Sequence, residues 1–115
     1  MKTLIRNSSS FLGNFMPHGW GNGYVLIPIG HPLHGVQYDA INVDVHGGLT
    51  FSALAEPDCW DELLPEDYGK WIVGFDTAHC GDDLSRWPKE AVQAETGALL
   101  RQLLEFEVKP EEEKK

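Results

Sequence analysis

Two short stretches concentrate the residue types that do chemistry. One, INVDVHGG at 41–48, sets Asp44 and His46 two positions apart. The other, DTAHCGDD at 76–83, carries Asp76, His79, Asp82 and Asp83. Histidine and aspartate are good ligands for Zn²⁺ or Mn²⁺. The same residues also satisfy one another as a purely structural network. A bound divalent metal would take Asp44, His46, His79 and Asp82 as ligands, with Asp76 as general base or orienting partner. Asp76, His79 and Asp82 are spaced by three, so one helical turn brings them to one side. Turn chemistry is the other reading of this stretch, with Asp and Thr closing a turn and Gly81 supplying a positive φ. A third cluster, GHPLHG at 30–35, offers His31 and His34, which either chelate a metal or bond loop carbonyls. Cys80 beside His79 is no nucleophilic pair, because neighbouring side chains point apart. Neither a phosphate-binding glycine loop, a Gly-x-Ser-x-Gly elbow nor a His-Glu-x-x-His motif occurs.

These residues need elements to position them. Residues 24–30, YVLIPIG, are continuously apolar and read as a buried strand, with Pro28 restricting its end to an edge or bulge. Residues 41–46 alternate apolar and polar, and 49–54, LTFSAL, read as another strand. Gly47-Gly48 between them predicts a tight hairpin that pairs His46 with Leu49 and Asp44 with Phe51. Opposed residues share a face, so Asn42, Asp44 and His46 form either a solvated face or one wall of a site. Residues 70–75, KWIVGF, read as a further strand and 56–69 as an acidic loop with one helical turn near 60–64. From Pro88 to about Phe106, Val92, Leu99 and Leu103 recur on one face of a helix. The fold class is therefore α+β: a small, mainly antiparallel sheet of about four strands with one C-terminal helix packed on a face. Residues 1–109 form a single domain, with 1–22 an irregular arm or one short strand held by Phe11, Phe15 and Trp20. Residues 110–115 form a disordered, solvated tail. If the strands at 41–45 and 71–75 are neighbours, His46 and the 76–82 loop converge at one end of the sheet.

The chain has 115 residues, 42% of them hydrophobic and 23% charged, which suits one globular domain and excludes a disordered or fibrous chain. No apolar run approaches a membrane span, and the start lacks a signal peptide's apolar core. Cys59 and Cys80 make no disulfide framework, so free thiols in a cytoplasmic protein are expected. The net charge of −9 is concentrated: between Glu56 and Asp83, nine acids face Lys70 alone. Direct nucleic-acid binding needs clustered Lys and Arg, which are missing. An acidic band instead keeps a protein soluble, binds a cation, or faces a basic groove on a partner, as a nucleic-acid mimic does. Trp60, Trp71 and Trp87 flank the band, and aromatics beside acids suit a protein-contact surface.

Three motifs, GHPLHG, VDVHGGLTFS and WIVGFDTAHCGDD, stand in this order over roughly half the chain. Together they resemble small uncharacterised proteins of bacteriophages and prophages. The resemblance carries no activity, but it implies work in a host bacterial cytoplasm during infection. The expected function is that of an acidic accessory or counter-defence protein acting on a host bacterial protein complex, such as a CRISPR system, or on a signalling nucleotide. Asp44, His46, Asp76, His79, Asp82, Asp83 and Trp60 are then the candidate ligand- or partner-binding residues. A metal-dependent hydrolase built on the Asp/His cluster is the alternative.

Overall fold

The computed structural model describes residues 1–7, 18–79 and 81–113, with side chains as far as Phe106. Strands β1 (Lys2–Asn7), β2 (Gly21–Ile27), β3 (Phe51–Leu54) and β4 (Trp71–Phe75) form one antiparallel sheet in the order β1-β2-β4-β3. One helix, α1 (Lys89–Glu113), follows. The α+β class read from the sequence is the fold. No described helix is long and apolar enough to cross a membrane.

β2 is buried along its whole length because both faces of the sheet are covered. On one face Val25, Ile27, Val73 and Phe75 pack with Val92, Leu99 and Leu103 of α1 and with Ile41 and Val45. On the other, Tyr24, Leu26 and Ile72 pack with Ala55 and Leu63 of the acidic loop, joined by Leu4, Phe51 and Trp60. The helix can approach β2 closely because Gly23 has no side chain; a Cβ there would collide with Thr96 Oγ1 and the Phe75 ring. Pro88 stands just before α1, where its carbonyl accepts from Ala91 and Val92. The helix runs past the expected end near Phe106, through Pro110, to Glu113. The expected tail is therefore helical over 110–113, while Lys114 and Lys115 lie outside the described residues. Of the two readings for the first residues, an irregular arm or one short strand, Lys2–Asn7 takes the second as the edge strand β1; Phe11 and Phe15 lie outside the described residues.

The expected hairpin over 41–54 does not form. Residues 41–45 belong to no strand, and β3 pairs with β4. The alternation still records facing, since Ile41 and Val45 are buried, Val43 packs against the same core and Asp44 is exposed. The partner is the helix, not a strand. Gln102 accepts the Asp44 N–H at 2.7 Å and donates to the Asp44 carbonyl at 2.8 Å, and Glu95 accepts the His46 N–H at 2.7 Å. Two polar side chains seven residues apart on α1 thus replace the ladder that the alternation suggested. Gly47-Gly48 does turn the chain, with Gly48 N–H donating to Val45 O and Gly47 at φ +69°.

The acidic loop is anchored by its one buried acid. Asp67 has no solvent exposure, receives Lys2 Nζ at 2.7 Å and the Leu64 N–H at 2.9 Å, and lies 3.5 Å from Lys70 Nζ. Burial alone would raise its pKa, but the Lys2 hydrogen bond, the Leu64 N–H and the charges of both lysines outweigh burial and hold it below the ordinary value.

Two predictions follow from this packing. Leu103→Ala empties a fully buried position and should cost roughly 2–5 kcal/mol; an unchanged thermal midpoint would show the helix face to be misplaced. Asp67→Asn should destabilise by about 1–3 kcal/mol at neutral pH, because both lysines can still reach water. A depressed folded pKa stabilises above the unfolded value and loses that contribution as pH falls through the folded one. The gap between wild type and Asp67→Asn in urea melts should accordingly hold from pH 8 to 5 and close below about pH 4. A gap that persists at pH 2 contradicts the assignment.

Candidate functional site

The connection between β4 and α1 is held rigidly at its start. Thr77, fully buried, donates its hydroxyl to the Gly21 carbonyl at 2.6 Å, and Gly19 N–H donates to Thr77 O. The chain then turns back at 79–82, where Asp82 N–H donates to His79 O. This turn delivers Asp82 to His46. The His46 Nε2 lies 3.0 Å from both Asp82 carboxylate oxygens, and the His79 N–H donates to Oδ2 at 2.9 Å. A carboxylate only accepts, so Nε2 carries the hydrogen that faces Asp82. The His46 ring lies tilted at 37° against Trp87 with centroids 4.3 Å apart and meets the His79 ring edge-on at 5.5 Å.

Asp76 belongs to the same group. Its Oδ1 accepts the Ala78 N–H at 3.0 Å, its Oδ2 accepts the Thr50 hydroxyl at 2.9 Å, and Oδ1 lies 3.2 Å from His79 Nε2. That last approach is an ion-pair distance without hydrogen-bond alignment, so the buried His79 Nε2 has no hydrogen bond. The His79 ring instead rests on Gly47, where any Cβ would strike Nε2. Gly47 therefore serves twice, adopting the left-handed turn and leaving room for the imidazole.

His46, Asp76, His79 and Asp82 thus stand together, and Asp44, Asp83, Trp60 and the His31–His34 pair do not join them. Asp44 is exposed and fixed through its backbone to Gln102. Asp83 closes its own turn, accepting from Ser85 Oγ at 2.7 Å and Arg86 N–H at 2.9 Å. The Ser85 hydroxyl first, and then the Arg86 N–H, lower its pKa. Trp60 lies on the opposite face of the sheet, packed on Tyr24 and Phe51 and under the Arg6 guanidinium, 4.5 Å from its ring. His31 and His34 bond carbonyls, of Leu103 at 3.0 Å and Gly69 at 2.7 Å, so they form no chelate. Cys80 lies outside the described residues, and Cys59 is an exposed free thiol.

The proposed ligand set Asp44, His46, His79 and Asp82 is not assembled. Among the described residues, no group of three or more His, Cys, Asp or Glu is placed to hold a metal ion. Asp44 is directed elsewhere by its helix clamp, and both Asp82 oxygens already accept from His46. The sequence reading missed Trp87 as the surface under His46, Thr50 as a donor to Asp76, and Glu95 with Gln102 as clamps. Only the clamps left a signal, two polar residues seven apart on one helical face. Comparison of the chain with protein-family models, curated proteins and solved structures finds no match.

Removing an imidazole that satisfies a buried carboxylate is costly. His46→Ala should destabilise by about 2–4 kcal/mol. Gly47→Ala should cost about 1–3 kcal/mol through its left-handed backbone and the displaced His79. Urea denaturation checks both; two unchanged midpoints would mean that the cluster does not hold the loops together.

Proposed function

We propose that the chain is a small acidic binding protein through which a bacteriophage acts on a bacterial protein complex, such as a CRISPR surveillance system. A contrast between two sets of acids carries this reading. In the 76–83 turn, the carboxylates of Asp76, Asp82 and Asp83 are taken up by internal donors. In the loop after β3, Glu56, Asp58, Asp61 and Glu66 are exposed, Glu62 is exposed but paired with Arg6 at 3.3 Å, and the large apolar side chains of Leu54, Leu64 and Tyr68 are exposed beside them. The first set satisfies itself. The second presents charge next to apolar surface, the composition of a contact face for a basic protein. A signalling nucleotide brings phosphates that such a band repels, so a protein target fits better. The phage setting rests on the three-motif resemblance.

The test is phage plaquing on a bacterium whose active CRISPR system targets that phage. Expression of the chain should restore plaquing. The triple variant Asp58→Lys, Asp61→Lys, Glu66→Lys, folded by circular dichroism, should lose that effect and bind the complex at least about tenfold more weakly, since like charges across an interface cost several kcal/mol. A charge-reversed protein of full potency contradicts the reading.

A further inference from the structure

The open edge of the sheet gives this binding reading a mode. β3 is the outer strand next to β4, in the register Ser52↔Val73 and Leu54↔Trp71. The continuation of that register is a hydrogen-bonded pair, with Ala55 N–H donating to Lys70 O at 2.8 Å. Bonding alternates along an antiparallel strand, so Phe51, Ala53 and Ala55 face β4. Ser52 and Leu54 therefore turn their N–H and C=O groups outward, and among the described residues no group bonds to them.

The opposite edge of the sheet differs. β1 carries Lys2 and Arg6, the kind of charged side chains that discourage strand addition. β3 reads FSAL and carries none, and Leu54 is 40% exposed. The charges around it are mostly acidic. Glu56 and Asp58 follow β3, and Asp39 stands next to Tyr38, whose N–H donates to Ser52 Oγ. The one cation near its far end, Lys70, lies by Asp67.

We infer that the β3 edge is the docking strand for an extended, lysine- or arginine-bearing segment of the partner protein, which adds to the sheet by bonding Ser52 and Leu54. Main-chain pairing supplies the affinity in such strand addition, and the flanking side chains supply selection. Here Asp39, Glu56 and Asp58 select a basic segment and Leu54 offers an apolar contact. This inference rests on the binding function proposed above.

The probe is a short fluorescent peptide of alternating lysine and valine, with alternating glutamate and valine as its counterpart. The basic peptide should bind and slow amide exchange at Ser52 and Leu54, and the acidic one should not bind. Leu54→Pro removes one outward donor and spares the bonds to β4, so it should weaken binding by about tenfold, the equivalent of one hydrogen bond. Leu54→Lys keeps the backbone donor and should weaken the basic peptide through repulsion, which covers the case that the proline variant does not fold. No binding, equal binding of the acidic peptide, or binding that leaves Ser52 and Leu54 exchange unchanged overturns the inference. In the plaquing assay, Leu54→Pro and Leu54→Lys proteins of full potency beside an inactive charge-reversed protein would sink the edge mode and leave the acidic binding face standing.

Discussion

The placement of the acidic surface depends on one buried carboxylate. Asp67 sits at the end of the loop that covers one face of the sheet, with no solvent exposure. A lone charge there would be costly to desolvate. Lys2 from the first strand, Lys70 from the approach to the last strand, and the Leu64 N–H together offset that cost. The loop is thereby tied to both β1 and β4. Leu63 and Ala55 then seal that face of the core, and Trp60 closes over Tyr24 and Phe51. With its end fixed and its apolar residues committed inward, the loop directs its remaining acids outward.

The other face of the sheet is organised by a different pairing. His46 and Asp82 join two segments that have no ladder between them, the chain beneath α1 and the turn after β4. Glu95 and Gln102 fasten the first of these segments to the helix, and Thr77 fastens the second to the start of β2. The polar atoms of the cluster are largely spent on these ties. An arrangement whose carboxylates already have their donors is suited to holding loops. The outward acids and the open β3 edge remain for a partner. Function on this account lies where polar groups are unspent, outside the densest histidine and aspartate motifs.

How legible each part was depends on the range of the interaction behind it. β2, β4 and the apolar face of α1 were readable because continuous or periodic burial is written locally in Val25, Ile27, Ile72, Val73, Leu99 and Leu103. The segment 41–45 was read correctly as one-sided but wrongly as a strand. Its partner was not readable, because alternation reports facing and the groups that satisfy its backbone, Glu95 and Gln102, come from the far end of the chain. His46 and the 76–82 turn meet as their positions at strand ends suggested, but by way of Asp82 rather than a strand pair. Asp44 followed its backbone away from them. Trp60 was read only as a flank of the acidic band, and its packing on Tyr24 and Phe51 had no local sign. The buried role of Asp67 had no local sign among nine acids.

The central claim is that the molecule engages its target with the acidic loop and the β3 edge, and uses its histidine–aspartate cluster only to hold itself together. Hydrogen–deuterium exchange of the full chain, free and bound to the isolated bacterial complex, tests this directly. The account predicts that binding protects residues 51–68 and leaves exchange at 44–48 and 76–83 unchanged. Protection confined to 44–48 and 76–83, with 51–68 exchanging as in the free protein, would contradict it.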